Sequence, residues 1–210
     1  MRIPPLAGAL LATAAAPWCV WPQSHITVAV FNCAGVPHSV LVPAVETARR
    51  AFLGARIESR WVLCEAEGCP QQLPAGSYLE LFVMPRLRSP LAGRADAHPA
   101  GYAMPDTFAH PRAYAFYDAA RMVAERTIRP LDVVLGCIFV HEAGHLLGLG
   151  HQPHGAMRAN LDAVDMDSTA MGRAFNLEEG KKLRASVNPP PKLRAASAAR
   201  PSEERLDETH

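Results

Sequence analysis

Residues 141–151 read HEAGHLLGLGH, so that His141, Glu142, His145, Gly148 and His151 stand in the pattern H-E-x-x-H-x-x-G-x-x-H. In a chain with 9 His and 14 Gly, chance fills these five positions in roughly 1 sequence in 10⁴. On an α-helix, residues four apart differ by about 40° of rotation, so the imidazoles of His141 and His145 project side by side and can share one ion. Gly148 takes the left-handed conformation that stops a helix, and the chain turns back to bring His151 in from another direction. Three neutral imidazoles with a fourth position open to water is the coordination of a catalytic zinc, whereas a structural zinc is closed by four protein ligands, usually including thiolates. Glu142 lies beside the ligands and points away from direct chelation. It is placed to take a proton from a zinc-bound water, whose pKa the metal lowers to about 7, and to pass it to a leaving amine.

The residues before the motif extend the same helix. PLDVVLGCIFV (130–140) is almost continuously apolar, with Pro130 near the first turn, where its missing N–H costs least. Such a helix is buried, and towards its end its only ionisable residues are His141, Glu142 and His145. Further upstream, ITVAVFNC (26–33) alternates and is rich in β-branched residues, which predicts a strand. A helix follows, with Ser39 as its cap, Leu41, Val45, Ala48 and Phe52 on its apolar face, and Gly54 as its stop. IESRWVLC and YLELFVMP read as two more strands, GYAMP and AYAFYD as two short ones, with Pro105 marking an edge. NLEEGKKLRA reads as a final helix capped reciprocally by Asn176 and Glu179. The expected fold is one α/β (α+β) domain over residues 24–186: a twisted mixed sheet, two long helices packed on it, and a small C-terminal part after Gly148.

The segment HEAGHLLGLGH resembles the zinc signature of the metzincin clan of metallopeptidases, and HQPHGAMRAN extends the likeness. Met157 follows His151 by six positions, where the clan has a methionine turn beneath the metal. The H-x-x-x-G-x-M-R spacing is similar to that of small exported bacterial metzincin-like proteins. The resemblance implies a zincin fold, one catalytic Zn2+ held by His141, His145 and His151, and Glu142 as general base. It also implies an edge strand, Gly101, Tyr102, Ala103 and Met104, that pairs with extended peptide or protein substrate. The implied function is that of a zinc-dependent endopeptidase; the alternative is a zinc-containing binding or scaffold protein of the same fold that turns nothing over. Position 159 is Ala, so the tyrosine that astacin-like members place two residues after the methionine is missing, and the loop from Ala159 to Arg173 carries no legible side-chain preference.

Composition narrows the partners. The chain has 210 residues, 49% of them hydrophobic and 20% charged, enough for a sizeable core. Lys+Arg 21 against Asp+Glu 20 leaves a formal charge of +1, with no basic excess to hold nucleic acid. No apolar run is long enough to span a membrane, and a monomer is expected. Residues 1–16, with Arg2 ahead of a Leu/Ala stretch and small residues, read as an export signal, which places the product outside the cell or in a periplasm. Residues 187–210, rich in Pro, Ala and charge, read as a disordered tail.

Of five cysteines, Cys64 and Cys69 close the short loop CEAEGC and are the first candidate disulfide, Cys19 with Cys33 the second. Cys137 reads as a buried small hydrophobe. His98, His110 and His154 are expected to be solvated loop residues, and the acidic run with Asp162, Asp165 and Asp167 a solvated loop lacking calcium-site spacing. Tyr102, Tyr114, Phe116 and Tyr117 are expected to pack between strands.

Overall fold

β1 (Ser24–Asn32) lies between two parallel neighbours, β2 (Ile57–Glu65) and β3 (Leu79–Met84). The computed structural model describes residues 24–69, 73, 78–86, 100–105 and 110–188. The expected export signal, Cys19, His98 and residues 189–210 lie outside them. β5 (Arg112–Phe116) pairs parallel to β3, and β4 (Gly101–Met104) pairs antiparallel to β5. The strand order is β2-β1-β3-β5-β4, a mixed five-stranded sheet with β4 at one edge, where Pro105 follows it.

Alternation along β1 builds two layers. Ile26, Val28 and Val30 join the main core, which includes the buried sides of α1 (His38–Gly54) and α3 (Leu131–Leu146). Ala29 points the other way, into a thin layer with Val62 and Cys64, packed by Phe31, Cys69 and Tyr78. The Cys64–Cys69 disulfide closes this outer layer, the first of the two pairings expected; among the described residues Cys33 and the buried Cys137 have no disulfide partner, and Cys19, the expected partner of Cys33, lies outside them. Phe31, Phe82 and Tyr114 continue the layer across the sheet, with ring centroids 4.7 and 5.6 Å apart. Tyr114 thus packs as expected. His110 is half-buried rather than solvated, because its ring stacks on Tyr78 at 3.9 Å.

Several elements depart from the sequence reading. α1 begins at His38 without a side-chain cap. The carbonyl of Pro37 already accepts from the N–H groups of Val40 and Leu41, so Ser39 sits inside the first turn. Gly54 closes α1 in helical conformation, and the left-handed residue is Arg56, at φ 61°. What Gly54 supplies is clearance: a Cβ there would lie 1.9 Å from the Gly172 carbonyl oxygen. AYAFYD is split, since β5 ends at Phe116 and Tyr117 opens α2 (Tyr117–Thr127), with Asp118 in its first turn where the helix dipole favours an acid. Tyr117 is therefore a helical residue.

The acidic run is a helix too, α4 (Ala163–Ala170), capped by Asp162, whose carboxylate accepts from the Asp165 N–H at 2.9 Å while Asp165 reaches back. α5 (Leu177–Val187) carries the expected reciprocal cap of Asn176 and Glu179. Asn188 ends α5 and its amide donates to the Ser24 hydroxyl at 2.7 Å, so Val187 and Asn188 belong to the folded part. Among the described residues, no helix is long and apolar enough to cross a membrane.

Candidate metal centre

α3 runs unbroken from Leu131 to Leu146 and carries His141, Glu142 and His145 at its C-terminal end. Gly148 then adopts φ 85°, and the Leu149 N–H returns to the Gly144 carbonyl at 2.9 Å. This turn positions a ligand as well as ending the helix, because His145 Nδ1 donates to the Leu149 carbonyl at 2.8 Å. His141 Nδ1 donates to the Ala156 carbonyl, also at 2.8 Å. Carbonyl oxygens only accept, so both rings carry their proton on Nδ1 and turn a bare Nε2 lone pair inward.

Those two Nε2 atoms are 3.0 Å apart. Two lone pairs at that separation repel unless a cation stands between them. His151 completes the set: one ligand atom from each of the three residues lies within 4.8 Å of the others. Nitrogens that share an ion at about 2.0–2.1 Å in a tetrahedron stand about 3.4 Å apart, so the donor set fits zinc. His141 is buried, His145 half-buried and His151 exposed. Burial, reinforced by the neighbouring imidazoles, pushes His141 down to about 4 and overcomes the opposing pull of the Ala156 carbonyl. His145 is lowered for the same leading reason. Both rings are thereby held neutral, the form that binds metal.

Glu142 faces the edge strand. A Cβ on Gly101 would fall 2.2 Å from its Oε1, so β4 passes over the carboxyl at a distance only glycine permits. Oε2 is buried with no partner among the described residues, and burial pushes the carboxyl up to about 8. A cation at the three imidazoles favours the ionised form again.

Beneath α3, Met157 is fully buried, and its Sδ would stand 2.5 Å from a Cβ on Gly144. The segment that carries it is tied down on several sides. Gln152 N–H donates to the Met157 carbonyl at 2.9 Å and Ala156 N–H to the Ala174 carbonyl at 3.0 Å. Gly155 N–H donates to Asp165 Oδ1 at 2.8 Å, and the Arg158 guanidinium binds both Asp162 and Asp165. Asp165 was not singled out by the sequence reading as a functional residue. The signal that could have found it is the D-x-x-D spacing of Asp162 and Asp165, a capping box with the shorter acid in place of glutamate.

A cleft of about 930 Å³ opens over the three histidines and Glu142. Gly101, Tyr102 and Ala103 line it, while Met104 and His154 do not. The wall formed by α2, with Met122 and Val123, was not anticipated, since only the first two residues of α2 fall in the stretch AYAFYD expected as strand and no element was assigned to the rest.

No protein-family model matches the chain, and a search of curated proteins finds no match. Among solved structures, a zinc-dependent peptidase from Methanocorpusculum labreanum (strain Z) is similar at TM-score 0.49 and 18% identity, over 74% of this chain and 99% of that one. Archaemetzincin from Methanopyrus kandleri gives 0.48 and 17%, over 80% and 98%. Metalloproteinase-II from Bacteroides fragilis gives 0.48 and 8%, over 79% and 54%. Identities this low concern the course of the chain alone.

Proposed function

We propose that this chain is a zinc-dependent endopeptidase of metzincin type, with one ion held by His141, His145 and His151 and with Glu142 as its base. The observation that carries the reading is the pair of inward Nε2 atoms 3.0 Å apart beside a buried carboxyl whose Oε2 has no partner among the described residues. A structural site needs the ligands but not that carboxyl. When bound, zinc supplies Lewis acidity towards a water molecule and the scissile carbonyl.

The chain's own groups do the rest. Gly101 to Met104 offer an edge to an extended peptide and hold it over Glu142. Glu142 accepts a proton as the water oxygen attacks the carbonyl carbon. It returns that proton to the amide nitrogen as the C–N bond breaks, so the products are a carboxylic acid and an amine, and the acid's remaining proton passes to the amine to leave a carboxylate and an ammonium. The tie from His141 to Ala156 keeps that ring's lone pair on the ion, and Met157 fills the space beneath, as the methionine turn of the clan does. Export fits the Leu/Ala stretch behind Arg2 and the Cys64–Cys69 disulfide, since disulfides persist in oxidising compartments; we assign the chain to the exterior or a periplasm.

Two measurements test this. Metal analysis is expected to give one zinc per chain, lost in His151→Ala; full retention by that variant refutes the three-histidine site. Cleavage profiling on a proteome-derived peptide library is expected to show a loss of at least about 10² in rate for Glu142→Gln, in line with general-base contributions. Equal cleavage by both forms would expose a contaminant, and no cleavage by either with zinc bound would leave the binding-protein alternative.

A further inference from the structure

One wall of the cleft is a single face of α2. Ala119, Met122, Val123 and Arg126 line it, the i, i+3, i+4 and i+7 positions of one helical stripe. The stripe spans about 10 Å along the axis, the length of about three residues of extended chain. It is apolar for three positions and ends in a cation.

The acids of α4 and of its cap are already engaged. Asp167 holds Arg129 at 2.7 Å, and Asp162 and Asp165 hold Arg158. Glu125, the neighbour of Arg126 in sequence, is off the cleft face, and among the described residues the one acid lining the cleft is Glu142. Among the described residues Arg126 has no acidic partner. A guanidinium is a planar fork of donors matched to a carboxylate, and here it ends the apolar wall of the cleft that also holds the metal centre.

Building on the peptidase reading, we propose that Arg126 selects peptides that carry a carboxylate to one side of the scissile bond, beside an apolar side chain packed on Met122 and Val123. The carboxylate comes either from an Asp or Glu side chain or from the peptide's own C-terminus. Both sources offer the same bidentate acceptor.

The test uses matched peptides, Glu against Gln at each position, each made with a free C-terminal acid or an amide. Cleavage by the zinc-loaded protein and binding to zinc-loaded Glu142→Gln, followed by fluorescence anisotropy, are measured in parallel. The expected ratio of kcat/KM for acidic over neutral peptide is about tenfold. It falls to about one in Arg126→Ala, turns towards Lys peptides in Arg126→Glu, and persists in Arg121→Ala, an exposed cation of α2 off the cleft face. Preference within the amide series identifies a side-chain source; preference for free acid over amide identifies the C-terminus. A ratio near one in the parent protein, or one that survives Arg126→Ala, overturns the proposal and leaves the peptidase reading standing. If nothing is cleaved, the peptidase reading fails. Acid-selective binding that disappears in Arg126→Ala then still supports the role of Arg126, and unselective or absent binding overturns it.

Discussion

Asp165 shows how far from the metal a ligand's orientation is decided. Its buried carboxylate takes the Gly155 N–H at 2.8 Å and the Arg158 guanidinium at 3.2 Å. The next carbonyl along, that of Ala156, fixes His141. Asp165→Asn keeps the shape but gives up one acceptor oxygen and the charge. Zinc affinity, read by competition with a chromophoric chelator, should weaken about 10- to 100-fold, as for other groups that orient ligands; unchanged affinity would mean that the Ala156 carbonyl is held without it. Gly101 acts on the base instead. A methyl group there must displace Glu142, so Gly101→Ala should keep its zinc yet lose about 10² in kcat, the cost of an ångström-scale misplacement. Loss of zinc in that variant would contradict this division of labour. Cys137 is a third case, because burial pushes its thiol up to about 12 against an ordinary 9.0. Between those pH values the unfolded chain has released this proton and the folded chain keeps it. The contribution to stability is therefore full below pH 9 and lost as pH rises through the window. The urea stability of the parent minus that of Cys137→Ala should shrink between pH 8 and pH 11, and a constant difference would refute it.

At the level of elements, legibility followed locality. α3 and its stop were readable because a continuous apolar run behind Pro130, the i, i+4 pair of histidines and one glycine, all contained within about twenty residues, decide them. α2 was not, because FYDAARMVAERT (116–127) runs on from β5 without a proline or glycine to mark the change, and only the end of the sheet at Phe116 decides where the strand stops. α4 was hidden by a cap made with aspartate where glutamate is the familiar partner. Gly54 is legible as the stop of α1, but the clearance it provides is set by Gly172, 118 positions away in a part of the chain with which α1 has no local relation. That contact can be weighed. Alanine gains about 1 kcal/mol over glycine inside a helix, but a Cβ 1.9 Å from the Gly172 carbonyl oxygen forces backbone apart, and overpacking costs about 1–3 kcal/mol or more. The collision should win. Gly54→Ala is expected to lower the urea midpoint, and a rise would mean that the α1–α4 approach yields easily.

For the molecule as a whole, the metal centre is a fastener between two parts of unequal support. His141 and His145 belong to α3, which is enclosed by α1 and the sheet. His151 belongs to the C-terminal part, whose α4 and α5 contribute only Met166, Leu183 and partly buried Val187 to the core. An ion shared by both parts binds the folded chain and not the unfolded one, so it stabilises by mass action: about 2.7 kcal/mol at a free concentration of 100 times Kd. In a domain of 150–250 residues each kcal/mol moves Tm by about 2–4 °C, so chelation should lower Tm by about 5–10 °C. His151→Ala supplies the control, because it cuts the fastener on the weaker side while leaving α3 intact. Its Tm should lie near that of the chelated parent and should not respond to chelator. Hydrogen exchange should localise the loosening to residues after Gly148, with β1 and α1 unaffected. A chelator effect of the same size in His151→Ala, or loosening spread evenly over the sheet, would show that the ion stabilises α3 alone and that His151 does not tie the C-terminal part to it.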